Sequence, residues 1–146
     1  MTSPPVLSGL HHVTLPVSDL DTSTAWYASV LGAERIPALD HHDPHGARYS
    51  VVVALPGLGV PVQLRLAPEA AGTATAYDPV TLAVADRAAL ENWVEHLDAC
   101  DVPHGPVAEA RIGHALSFHD PDGTLLRLYT EPVGGFDAAV QEGQRL

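Results

Sequence analysis

The chain is predicted to adopt an α+β fold: two paired βαβββ modules whose sheets form a curved cup with the helices outside. Three observations predict it. First, Val13, Thr14, Leu15, Val17, Asp19 and Trp26 recur as Val80, Thr81, Leu82, Val84, Asp86 and Trp93, at one offset of 67 residues. A repeat of this length governs the fold. Second, each copy opens with the period-2 alternation of a half-buried strand and passes into a helix behind an aspartate. Third, the copies end alike: Gln63-Leu64-Arg65-Leu66 lies over Arg127-Leu128-Tyr129-Thr130 at an offset of 64 residues. The 146 residues read as one domain over 1–146, with copies at 9–67 and 77–131. Neither copy can bury an open sheet face alone, so the two sheets are expected to curl around a shared interior.

The elements follow in order. Residues 1–8 are a Pro-containing lead-in. A strand over 10–17 alternates Val13, Leu15 and Val17 with Thr14 and Pro16. A helix over 19–31 starts at Asp19, whose carboxylate suits an orphan N–H, and stops at Gly32, which tolerates a left-handed cap. Its buried face is Leu20, Ala25 or Trp26, Val30 and Leu31. A short strand is expected at 33–38, and DHHDPHG (40–46) is a loop by its Asp, Pro and Gly. Strands at 47–54 and 60–67 flank the Leu55–Gly59 turn, and 68–78 link the copies. The second copy runs strand 79–84, helix 86–99 capped by Asp86, and strands 105–110, 113–119 and 124–130, with a tight turn at Asp120-Pro121-Asp122-Gly123. Leu90, Trp93, Val94 and Leu97 are the second helix face. Both tryptophans are assigned to the core, each anchoring its helix on its own sheet. After Glu131 the chain is Gly-rich, with a short helix from Phe136.

Composition excludes whole classes. All seven basic residues are Arg against 18 acidic ones, a net charge of −11. A nucleic-acid binder shows a basic patch or stripe, and none is present. No apolar run is long enough to span a bilayer and no signal segment is visible, so a cytoplasmic protein is expected. Cys100 is the single cysteine, which fits a reducing compartment; it reads as a packed residue, since no activating partner is recognisable nearby.

Alternation names the cup's interior. If Val13, Leu15 and Val17 face the helix, then His12, Thr14 and Pro16 face inward. Gln63 and Arg65, Thr81 and Ala83, Arg127 and Tyr129, Ser50 and Val52, and Ala115 and Ser117 do likewise. A register slip of one residue inverts any of these sets.

GLHHVTLPVSDLDTSTAWYASVLGAE (9–34) and FHDPDGTLLRLYTEP (118–132) resemble the opening and closing motifs of the vicinal oxygen chelate superfamily, also called the glyoxalase/bleomycin-resistance/extradiol-dioxygenase superfamily. The resemblance covers about residues 8–132 and implies paired βαβββ modules around a ligand cup, often holding one divalent metal. In metal-dependent relatives the ligands come from four strands, as His or Gln, Glu, His and Glu. Matched residue by residue, those positions here are His12, Gln63, Pro79 and Arg127. Gln63 is a weak oxygen ligand, Pro79 has no ligating side chain, and the Arg127 guanidinium repels a dication. Catalytic zinc usually takes three protein ligands, so the metal site reads as degenerate and no cofactor is assigned. Were a metal bound, His12, Gln63 and Glu131 would be its ligands, with His114 or His119 available in the other register.

What remains is a polar interior of His12, Thr14, Gln63, Arg65, Thr81, Ser117, Arg127 and Tyr129. A buried Arg must be paired. Either Arg127 is neutralised by Glu131 or another acid at the rim, or it awaits an anionic or carbonyl-bearing ligand. His12 is a satisfied histidine or an acid/base group. Tyr129 stacks on a ligand or is simply wall. The three histidines of DHHDPHG read as solvated, His96 as surface, and Ser117, His119 and Asp120 as too close in sequence for a triad. The expected function is a small-molecule binding protein of the bleomycin-resistance type, for a small anionic or aromatic molecule, acting as a homodimer. The alternative is a lyase, isomerase or dioxygenase-like enzyme of the same superfamily, with His12 as acid/base or metal ligand and Arg127 stabilising an oxyanion. Metal-dependent glyoxalase I and extradiol dioxygenase are disfavoured.

Overall fold

Two short runs of alternating residues start the two sheets of the computed structural model, which describes residues 3–144. In the first module β1 (Val13–Val17), α1 (Leu20–Leu31), β2 (Glu34–Arg35), β3 (His41–His42), β4 (Arg48–Ala54) and β5 (Val62–Leu66) follow in order. In the second, β6 (Thr81–Val84), α2 (Arg87–Ala99), β7 (Ala108–Ala110), β8 (Gly113–His119) and β9 (Leu125–Thr130) repeat the plan, and α3 (Gly135–Gln144) closes the chain. The first sheet runs β1-β5-β4-β2 with β3 also on β4; the second runs β6-β9-β8-β7. In each, the opening strand is parallel to the last strand of its module and the remaining pairings are antiparallel. The α+β class with two mixed sheets is thus as expected.

The helix starts are set by the two aspartates. Asp19 accepts from the Thr22 N–H at 2.8 Å, and Asp86 from the Ala89 N–H at 2.9 Å. Gly32 ends α1 with φ 70°, its N–H bonded to the Ala28 carbonyl at 3.1 Å. α2 has no glycine there, and Asp101 takes the left-handed conformation at φ 56°. The Leu97 carbonyl then accepts from the Val102 N–H at 2.9 Å.

Leu15 and Val17 face the helix side and are buried, whereas Thr14 is exposed. One apolar cluster joins the helix sides of both modules, including Leu15, Leu64 and Val30 from the first and Leu97, Leu116 and Leu128 from the second. The two helices also touch: His96, exposed as expected, brings its Nε2 to 2.8 Å from the Val30 carbonyl. α1 and α2 occupy the face of each sheet opposite the polar one, and within one chain those helix-bearing faces meet, while α3 stands across a cavity from the polar face of the second sheet. The two polar faces are therefore not brought together as one interior within a single chain.

Three local expectations need correction. The DHHDPHG loop contains β3, because His41 and His42 pair with Ser50 and Arg48 of β4, and the His41 and Tyr49 rings approach at 5.8 Å. On α1 the deepest aromatic is Tyr27, 1% exposed, while Ala25 is exposed and Trp26 half-buried. Trp26 does not anchor α1 on its own sheet alone; its ring lies 6.3 Å from Phe118 of β8 in the other module. Trp93 is likewise only half-buried.

Candidate functional site

Each module presents one polar cluster on its open face, and the two clusters correspond. On the first, the Thr14 hydroxyl donates to Gln63 Oε1 at 3.3 Å, and Gln63 Nε2 donates to the Ser50 hydroxyl at 2.8 Å. Thr14 and Gln63 are register partners across the parallel β1–β5 pair. On the second, Thr81 and Arg127 are register partners across β6–β9. There Arg127 Nε donates to the Ser117 hydroxyl at 3.4 Å. Thr-Gln-Ser in one copy is Thr-Arg-Ser in the other.

Arg127 is also an ion-pair partner. Its Nη1 lies 3.6 Å from Asp78 Oδ1, and Asp78 Oδ2 accepts a short hydrogen bond from the Thr81 hydroxyl. The neutralising acid is Asp78, not Glu131, which stays exposed on the same face. The cause is geometric: Asp78 sits three residues before Thr81, at the entry to β6 and beside the guanidinium. The Arg127 side chain remains 38% exposed, so Asp78 balances its charge without enclosing it.

The other candidates are dispersed. Arg65 is exposed, with its guanidinium 5.8 Å from the Tyr49 ring centroid. Cation and ring attract at that range. The Tyr129 hydroxyl accepts from the Ile112 N–H at 3.0 Å, which fixes its ring. His12 is exposed and does not join the polar clusters; its Nδ1 lies 2.9 Å from His11 Nδ1, one ring donating and the other accepting. The two histidines precede the first paired residue of β1, Val13, so strand alternation does not send them to opposite faces. His114 and His119 make separate local contacts: the His114 N–H donates to the Thr130 hydroxyl at 3.0 Å, and His119 Nε2 lies 3.4 Å from the Thr75 carbonyl.

Two features escaped sequence reasoning. Asp78 carried a weak signal, an acid three residues before an inward-facing threonine. The other is a cavity of about 700 Å³ between α3 and the open face of the second sheet, lined by Thr81, Ala83, Tyr129, Ile112, Phe136 and Val140 among others.

With the geometry in place, the family is clear. The model of the Glyoxalase/Bleomycin resistance protein/Dioxygenase superfamily matches residues 9–128, and the chain belongs to that superfamily. Its fold is similar to that of a glyoxylase/bleomycin resistance protein/dioxygenase domain from Frankia sp. EAN1pec, at 24% identity and a TM-score of 0.68, covering 86% of this chain and 98% of that one. It is also similar to TnmS3, an antibiotic binding protein from Streptomyces sp. CB03234, at 22% identity, TM-score 0.69 and coverage of 88% and 99%. A third is the fosfomycin resistance protein FosX of Listeria monocytogenes, solved with Mn(II) and 1S,2S-dihydroxypropylphosphonic acid, at 21% identity, TM-score 0.65 and coverage of 85% and 90%. No protein of curated function matches.

Arg127 is engaged with Asp78, and Asp78 also with Thr81. Among the described residues no three His, Cys, Asp or Glu side chains are grouped to share an ion. No helix among them is long and apolar enough to cross a membrane.

Proposed function

We propose that this protein binds a small anionic or aromatic molecule in a polar cup and does so without a catalytic metal. The observation that carries the reading is Arg127, in the place where the other copy has Gln63, balanced by Asp78 and steadied by Ser117. A guanidinium so held is a ready partner for a carboxylate, phosphate or phenolate, which it can grip through two parallel N–H bonds. Thr14, Gln63, Arg65, Thr81, Ser117 and Tyr129 supply further donors and acceptors, and His12 is a further exposed candidate. TnmS3, which shares the fold, is an antibiotic binding protein, and sequestration needs no reaction at the bound molecule.

The working cup joins two copies of the chain. The polar face of each module is open, the helix-side faces are already used within one chain, and β1 and β6 each have one sheet neighbour. A homodimer that sets the first module of one copy against the second module of the other brings Gln63 and Arg127 to one interior.

The test is elemental analysis of protein purified without chelator, then titration with Zn, Ni, Mn and Fe(II), beside a thermal-shift screen of aromatic carboxylates and phenolates. The expected result is no stoichiometric metal, and a rise in Tm with an aromatic anion that Arg127→Gln removes. Tight stoichiometric metal lost on His12→Ala would overturn the reading in favour of a metal-dependent enzyme.

A further inference from the structure

We infer that α3 is an apolar wall of the binding site, which makes the preferred ligand an aromatic ring system carrying one anionic group. This rests on the binding reading for the anion, but the argument for the ring is separate.

α3 lies beyond residues 9–128, the stretch shared with the superfamily. Phe136, Ala139, Val140 and Gly143 recur at i, i+3, i+4 and i+7, so they form one stripe along the helix. That stripe does not pack down on the sheet; it borders the cavity of about 700 Å³. Phe136 remains 68% exposed and Val140 58%. Across the cavity stands Tyr129, its hydroxyl tied to the Ile112 N–H, so its ring is presented as a fixed surface. The space matches the roughly 300–1,000 Å³ of small-molecule sites, and such sites have mostly apolar walls with few polar groups. A flat ring between Phe136 and Tyr129 makes offset-stacked or edge contacts on both faces.

The anionic group follows from what adjoins the cavity. Thr81 is both one of its walls and the register partner of Arg127. Tyr129 and Arg127 are two residues apart on one strand face, about 7 Å. Arg111 stands at the cavity's edge, and among the described residues it has no ion-pair partner. A ring beneath α3 thus carries its charge toward a guanidinium.

The probe is 8-anilinonaphthalene-1-sulfonate, an aromatic anion whose fluorescence rises in apolar surroundings. The whole chain is titrated with it, beside Phe136→Ser/Val140→Ser, Phe136→Leu and Arg127→Gln, with Tm and sedimentation measured for each. The expected result is saturable binding that the double serine variant weakens about tenfold or more, as lost apolar contact of one or two side chains predicts. Phe136→Leu should retain most of the affinity, and Tm and oligomeric state should be unchanged. Absence of saturable binding by the unaltered chain overturns the inference, as does equal binding by the double variant. So does conversion of the double variant to a smaller oligomer, because α3 would then be an interface. If Arg127→Gln alone weakens binding, the wall fails and the polar cup stands; if the α3 variant alone does, the wall stands and the polar cup fails.

Discussion

Asp120 is a buried carboxylate that joins the two modules. It is 5% exposed, yet its carboxylate accepts from the Tyr27 hydroxyl at 2.8 Å and from the Asp122 and Thr124 N–H groups at 2.9 Å each. It ties the β8–β9 turn to α1 of the other module. Burial raises its pKa above the ordinary 3.8, outweighing the hydrogen bonds that favour the charged form. Burial, with the nearby carboxylate, also holds the Tyr27 phenol protonated far above its usual range. An acid with a raised folded-state pKa loses stability as pH climbs from 3.8 through the raised value, since the native state then binds more protons than the unfolded one. Asp120→Asn should flatten that part of the stability–pH profile in urea melts. Asp120→Ala orphans three donors and should cost about 3 kcal/mol, at the upper end of such losses. His104 acts with the same sign, from a higher starting pH. Its bond to the Gly105 carbonyl, then that to Asp98, raises its pKa above 6.5. Its contribution is complete below 6.5 and fades as pH rises through the raised value. His104→Gln should therefore weaken the fall in stability as pH climbs past 6.5, by a small amount because the pair is solvent-accessible.

At the scale of elements, the ends of the helices are where the two copies differ most usefully. α1 stops at a glycine, whereas α2 stops with Asp101 at φ 56°. A left-handed residue with a Cβ costs about 1 kcal/mol relative to glycine, so Asp101→Gly should stabilise the protein by up to about that amount in chemical denaturation. Gly113, at the start of β8, is the reverse case: a Cβ there would lie 2.3 Å from the Thr130 hydroxyl oxygen and 3.3 Å from its carbonyl. Gly113→Ala should destabilise by about 1–3 kcal/mol, and Thr130→Ala should recover part of it despite losing the bond from His114. The same elements show what was legible beforehand. Asp19 and Asp86 announced their helices because capping is a local interaction, and GHALSFH gave β8 its limits because alternation is local too. β3 was not legible: His41 and His42 extend only because β4 is there to pair with them. Trp26 and Tyr27 are neighbours on a helix, and the deeper of the two is decided by Asp120, 93 residues away from Tyr27. The site divides the same way. That Thr14 and Gln63, and Thr81 and Arg127, share a sheet face follows from strand period, but the Arg127–Asp78 pair and the cavity under α3 depend on how separate segments meet.

The whole molecule turns on which faces one chain uses for itself. Its single core consumes the helix sides of both sheets, with Trp26 against Phe118 and His96 against the Val30 carbonyl at the seam. The polar clusters of Thr14, Gln63 and Ser50, and of Thr81, Arg127 and Ser117, are left on open faces. A two-fold dimer that pairs unlike modules has two equivalent cups, each drawing Gln63 from one copy and Arg127 from the other. That arrangement is separable from a cup within one chain by mixing two defective variants. Gln63→Ala and Arg127→Ala should each weaken binding of the aromatic anion found by thermal shift. If they are unfolded together in equal amounts and refolded, random pairing gives about half mixed dimers, and each has one cup carrying both substitutions and one carrying neither. Calorimetric titration should then recover about a quarter of the sites at the original affinity. A cup built within one chain predicts none, because every chain in the mixture carries a substitution. Recovery therefore assigns the interior to two chains, and its absence, with both variants dimeric by sedimentation, returns the site to one.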